Sequence, residues 1–184
     1  QRQMCIRDCD DVVASNGIFH ILDAVIGLPS VVTFALADPN FSSLVQALTA
    51  YDYPQSFVGL LSIPAGSAPS PFTVFAPVNS GFESLLDELG VNSLYDIDEQ
   101  TLGAVLSYHV VVSVNQMSNT LSDGMVITTS LAQANPSIAD LTFNVGDNGE
   151  GILTDNNGRT SNIIAVDVQA DNGIIHAIDT VVLP

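Results

Sequence analysis

Hydrophobic positions recur at helical spacing in three short stretches of the chain. Phe41, Leu44, Val45 and Leu48 fall at i, i+3, i+4 and i+7, behind Asp38 as an N-cap and Pro39 as a first helical residue. Phe82, Leu85, Leu86 and Leu89 repeat the spacing behind Asn79 as cap, and Gly90 supplies the stop. Leu102, Val105, Leu106 and His109 form a third set, with Asp96 and Glu99 ahead of it at capping-box spacing. "PFTVFAP" (71–77) alternates as a strand does and ends at Pro77, whereas "LLSIPAGSAPSP" (60–71) is Pro-, Gly- and Ser-rich and reads as a loop.

The last third of the chain is patterned for strands. Two antiparallel strands are expected between Ile163 and Val182, turning at Asn172-Gly173, because both residues tolerate positive φ. Further tight turns are expected at Asn157-Gly158 and near Asn148-Gly149. The terminal segment also has a counterpart at the start of the chain. Asn16-Gly17 aligns with Asn172-Gly173 at an offset of 156 residues, and Asp11, Val12, Ala14, Ile18, His20, Asp23 and Val25 then meet identical residues. Leu28-Pro29 repeats Leu183-Pro184 after one inserted glycine. The offset is a domain length, far above the ~20–50 residues of solenoid repeats. We therefore expect residues 10–29 to be the C-terminal hairpin of a preceding repeat, 30–184 to be one complete domain, and 1–9 to be a non-native leader.

Composition narrows the function classes. With 47% hydrophobic and 12% charged residues, the 184-residue chain has the means to bury a core. Three Lys+Arg residues against 20 Asp+Glu give a net charge of −17. That balance opposes binding to nucleic acid and to anionic membranes, and it suits a soluble, secreted protein in salty surroundings. No run approaches the ~18 apolar residues of a membrane-spanning helix. Cys5 and Cys9 sit in "QRQMCIRDCD" without a nearby His, so no metal site and no cofactor are expected.

Three ordered stretches, "FTVFAPVNSGF" (72–82), "LSYHVV" (106–111) and "NGIIHAIDTVVLP" (172–184), resemble the fasciclin-like domain family. The resemblance covers about residues 30–184, and "NGIFHILDAVIGLP" before it is similar to the tail of another such repeat. It implies an α+β fold, a β-sandwich wedge with several short helices along one side, in which Thr73, Phe75, Pro77, Asn79, Asn172, Gly173, His176 and Asp179 are structural. It also implies a non-catalytic, extracellular or cell-surface role in adhesion or matrix assembly, with the domain strung in tandem. The partners implied are a cell-surface or matrix protein, a polysaccharide, or a second copy of the protein. Binding of an apolar small molecule between helices and sheet is the alternative.

The chain departs from the family pattern in four places. Val78 stands where Thr or Ser is usual, Gly81 where Ala is common, Ser113 where Gly is frequent, and Asp167-Val168 where an Asp-Ile element is linked to integrin binding in animal matrix members. The resemblance makes Tyr108, His109, Asp167 and Val168 the adhesion candidates, with His109 expected in the core and Tyr108 partly exposed.

Catalytic readings are weak. His176 and Asp179, like His20 and Asp23, lie three apart, and in a strand this spacing points side chains to opposite faces. No G-x-S-x-G, HExxH, P-loop or Rossmann glycine pattern occurs. "DNGEG" (147–151) and "DNNG" (155–158) lack the alternating ligands of an EF-hand, so hairpin turns are the plainer reading. "DIDE" (96–99) reads as a helix cap before a cation site. Asn40-Phe41-Ser42 is a glycosylation sequon in a eukaryotic host.

Overall fold

The computed structural model describes residues 12–19, 28–54, 56–135 and 140–184. Cys5, Cys9, His20 and Asp23 lie outside the described residues. Strands β1 (Val12–Ala14) and β2 (Gly17–Phe19) pair antiparallel as a separate two-stranded sheet, with Ala14 opposite Gly17.

The main body follows. Its elements are α1 (Val31–Ala37), α2 (Ser42–Leu48), α3 (Phe57–Leu61), β3 (Phe72–Pro77), α4 (Asn79–Leu89), α5 (Glu99–Tyr108), β4 (Val110–Val112), β5 (Met125–Ile127), α6 (Ser130–Ala134), β6 (Leu141–Val145), β7 (Gly151–Thr154), β8 (Thr160–Ala170) and β9 (Gly173–Ile178). Seven strands join in the order β4-β3-β9-β8-β7-β6-β5, all antiparallel except the β3–β9 pair. This is the expected α+β wedge.

β8 gives the wedge its shape. Its first residues pair with β7, its last with β9, and two register shifts between Ile163 and Val168 bend it between the two halves. One core cluster fills the space between the halves, from Phe75 and Ile178 to Ile127, Leu141, Phe143 and Leu153. The other lies under the helices, where Val74, Ala76 and Ile175 meet Val32, Leu44, Leu61, Phe82 and Leu106. β3 is consequently buried at all six positions, on both faces. A strand sandwiched this way needs apolar residues or, as at Thr73, a polar side chain with hydrogen-bond partners, rather than a solvated face.

The helices form largely where the periodicity places them, and their caps differ in detail. Asp38 does cap Pro39 through the Asn40 N–H (2.9 Å), but the first turn is a 3-10 turn over 39–41 that runs into α2. The start of α5 is capped by Asp98, which accepts the Thr101 N–H at 2.9 Å, and not by Asp96, which closes its own turn with Asn92. Gly90 ends α4 in the left-handed conformation, at φ 67°. α4 itself has no side-chain cap, because Val78 occupies the cap position. Asn79 is a helical residue whose Oδ1 instead accepts from the Ser43 N–H (2.9 Å) and Ser42 Oγ (3.2 Å) at the start of α2. Periodicity alone does not reveal α1, α3 or α6. Each begins with a serine or threonine cap, at Ser30, Ser56 and Thr129, and the last two residues of α3, Leu60 and Leu61, take the first two positions of the stretch read as loop.

Two of the three expected turns form around their glycine, although neither Asn148 nor Asn157 shares its positive φ. Gly149 and Gly158 take positive φ, 86° and 78°, in matching five-residue loops closed by Gly146–Glu150 and Asp155–Arg159 backbone bonds. The third does not. Ala170 pairs with Gly173, so the turn centres on Asp171-Asn172, neither of which has positive φ. Gly173 is required for another reason, since a Cβ there would meet the Phe72 carbonyl oxygen at 2.3 Å across the parallel pair.

Candidate functional site

The loop turn and the side chain of Asn172 fasten three distant segments. Its Oδ1 accepts the Val31 N–H at 3.0 Å, while its Nδ2 donates to the carbonyls of Leu61 (2.7 Å) and Ile63 (2.8 Å). Phe72 N–H in turn donates to the Asn172 carbonyl, and Asp171 N–H to that of Pro29. A buried amide with three partners is close to full satisfaction, and it orders the start of α1 and the end of α3 around the β8–β9 turn.

Further along β8 from that turn, Asp167 sits in the bulge with φ 59°. Its carboxylate accepts the Ser118 N–H at 2.8 Å and the Ser118 hydroxyl. These bonds, with the His176 ring nearby, hold the carboxyl below the usual carboxylate range. Asp167 N–H donates to His176 Nδ1 (3.4 Å), which leaves Nε2–H to donate to the Gln116 carbonyl at 2.8 Å. Thr73 completes the tie, accepting from Gln116 N–H and donating to the Val114 carbonyl, both at 2.9 Å. Phe75 stacks on His176, with ring centroids 5.6 Å apart. The loop from 113 to 120 is thereby pinned across β3, β9 and β8.

His176 and Asp179 do not pair. Asp179 accepts from Ser161 Oγ and from Asn162 N–H and Nδ2. Burial raises its carboxyl, but these bonds and one to Thr180 outweigh it and leave the group below the usual range. The loop carboxylates are also engaged. Asp155 accepts from the backbone of Asn157, Arg159 and Leu183, and Glu150 from that of Asn148. No group of three His, Cys, Asp or Glu arranged to hold a metal occurs among the described residues.

Tyr108 and His109 are both in the core. His109 caps α5: its Nδ1–H donates to the Val105 carbonyl (2.7 Å) and its Nε2 accepts the Val182 N–H (3.2 Å). Burial keeps the ring neutral and lowers its pKa to about 4. Tyr108 is completely buried in the cluster between the sheet halves, which corrects the expected partial exposure of its ring. The residue sits at the last turn of α5, and the crossing of the sheet halves covers it. Burial also raises its hydroxyl to about 12. No hydrogen bond links this pair to Asp167 or Val168.

The surface features lie elsewhere. Around the bulge, Ile164 and Val166 are 55% and 50% exposed, beside the half-buried Asp167 and Val168. A groove of about 240 Å³ runs from this stretch to Phe34 and Phe41. The apolar gap between helices and sheet, lined by Leu44, Val74, Leu106 and Ile175, has a volume of only about 30 Å³. A small-molecule site needs roughly 300–1,000 Å³. Sequence reasoning named Asp167-Val168 and missed Ile164 and Val166, whose exposure follows from the register shifts and has no local signal.

Comparison with known proteins agrees with this architecture. The profile of the Fasciclin domain matches residues 39–184. "Uncharacterized protein sll1735" of Synechocystis is 32% identical over 156 residues, covering 85% of this chain and 98% of that protein. Human periostin is 29% identical over 174 residues, 94% of this chain and 18% of periostin. Among solved structures, a FAS1 domain pair from the insect cell adhesion molecule Fasciclin I superposes with a TM-score of 0.63 at 22% identity, over 95% of this chain and 58% of that one.

Proposed function

Because the chain belongs to the fasciclin domain family, we propose that it is a non-catalytic adhesion or matrix-interaction module, displayed outside the cell and working in tandem repeats. The observation that carries this reading is the bulged face of β8. Ile164 and Val166 present apolar surface to solvent there, and the Ser118–Asp167 and His176–Gln116 bonds fix the backbone behind them. A rigid exposed apolar strip loses little entropy on docking, as a recognition surface requires. The partner is a cell-surface or matrix protein or a polysaccharide. Repetition would raise a weak single-site affinity through effective concentration.

Each candidate pair has its part in this reading. Asp167 and Val168 belong to the contact face, whereas Tyr108 and His109 support it from the core. The small-molecule alternative draws no support from the interior, which leaves about 30 Å³ between helices and sheet. The test is binding of the chain, immobilised once and in a tandem concatemer, to arrays of matrix proteins and polysaccharides. Binding that strengthens in the concatemer and disappears in the Ile164→Ser, Val166→Ser double variant supports the reading. Unchanged binding by that variant overturns the assigned face, and no binding to either array overturns the function.

A further inference from the structure

A second groove, remote in sequence from β8, runs between α3 and α5 and has a volume of about 560 Å³. One wall is apolar. Tyr53 and Phe57 meet edge to face with centroids 5.0 Å apart, and Leu60 continues the wall. The Tyr53 hydroxyl is already used, donating to the Ala47 carbonyl at 2.8 Å, so the ring offers the groove only apolar surface. The other wall is the outer side of α5, where Gly103 lacks a side chain and a Cβ would stand 3.4 Å from the Tyr53 ring. That is ordinary van der Waals contact, so α5 and the Tyr53 ring already approach closely at the floor of the groove.

The mouth is acidic. Asp98 and Glu99 line it, and the Asp98 carboxyl stays below the usual range because it accepts hydrogen bonds from Thr101. The N-terminus of α5 contributes about half a positive charge, which two carboxylates outweigh. Among the described residues no cation competes for them. Arg159 is the one basic Lys or Arg residue among the described residues, and it is engaged with Glu88 at 2.6 Å and near Asp155 at 3.8 Å.

We propose that this groove binds a basic, partly apolar peptide segment of a partner protein, with a Lys or Arg at Asp98 and Glu99 and the adjoining apolar side chain against Tyr53, Phe57 and Leu60. From Asp98 to Ser107 the helix wall is roughly 14 Å long at 1.5 Å per residue, which matches about four residues of extended chain. Charge complementarity selects the basic segment, because an acidic one would meet carboxylates in a protein of net charge −17. The inference is independent of the β8 face.

The experiment is a titration of the 15N-labelled chain with a synthetic hexapeptide of alternating Leu and Lys, against its Leu-Glu counterpart and spermidine. Expected are amide shifts confined to the stretches around Tyr53–Leu60 and Glu99–Ser107, and no binding of the acidic peptide. Glu99→Lys should weaken binding at least ten-fold, whereas Glu83→Lys on the exposed side of α4 should weaken it less than two-fold. Gln100→Trp, which fills the groove from an exposed helical position, should abolish binding without lowering the melting temperature. Equal losses for the two charge reversals, or shifts spread over the whole surface, would overturn the groove in favour of diffuse electrostatic attraction. Spermidine binding as tightly, with the same shifts, would overturn the peptide in favour of a small cation. Loss of matrix binding by the β8 variant with peptide binding intact would separate the two sites.

Discussion

Asn172 accepts the Val31 N–H through its side-chain oxygen across 141 residues of sequence, at 3.0 Å. The bond sits at the turn that shares its backbone with Phe72 and Pro29. One amide thus sets where the first helix begins relative to the central hairpin.

Asn172→Ala would leave the Val31 N–H and the Leu61 and Ile63 carbonyls without this partner in a buried site. Unsatisfied buried groups cost about 1–3 kcal/mol each, with relaxation recovering part. The expected loss is about 3 kcal/mol in urea unfolding. Asn172→Asp, which keeps the acceptor and removes the donor, should also destabilise.

His109 makes stability depend on pH. Its folded pKa is lowered from 6.5 to about 4 by burial, so between those values the unfolded chain binds the proton and the folded one does not. Stability from this group is complete above about pH 6.5, falls on acidification, and levels off below about 4, a total on the order of 3 kcal/mol. Protonation places a second N–H against that of Val182. Urea midpoints from pH 7.5 to 4 should show this slope, and His109→Gln, less stable at neutral pH, should lose the His109 part of it. An identical slope in the variant would refute the assignment.

Val78 holds the cap position of α4 with extended φ/ψ (−75°, 167°) and no capping bond. The backbone is already suited to a capping side chain. Val78→Thr, the residue the family pattern favours, should raise the unfolding free energy by about 1 kcal/mol. A drop would mean that the valine's packing outweighs the cap.

Ser113 has φ 63°, the left-handed region that disfavours any side chain, and its N–H donates to the Pro69 carbonyl at 2.8 Å. A glycine relieves the backbone and keeps that bond. Ser113→Gly should stabilise by about 1 kcal/mol, read as a rise in melting temperature.

Gly81 differs from the departures at Val78 and Ser113. A helix interior favours Ala over Gly by roughly 1 kcal/mol, yet here a Cβ would meet the Asp179 carbonyl oxygen at 2.8 Å and Thr180 Cα at 3.3 Å. Both are backbone atoms of the segment that leaves β9, and neither yields cheaply. Gly81→Ala should therefore destabilise, by about 1–2 kcal/mol as overpacking does.

The sequence by itself determined what short-range physics decides. The apolar spacing of 41–48, 82–89 and 102–109 specifies helices, Gly90 ends one, and Gly149 and Gly158 close hairpins because only residues tolerant of positive φ fit there. Ordered motifs were enough to indicate the fold, which matching profile and structure then showed. Tertiary structure decided the rest. Asn79 and Asn172 look like local cap and turn residues, but their side chains serve segments 36 to 141 residues away. Gly173 has the composition of a turn and the duty of a close backbone crossing. Tyr108 is buried by the opposing half of the wedge, and Ile164 and Val166 are exposed by a bulge. Each of these depends on which strand arrives opposite, and periodicity along the chain carries no record of that.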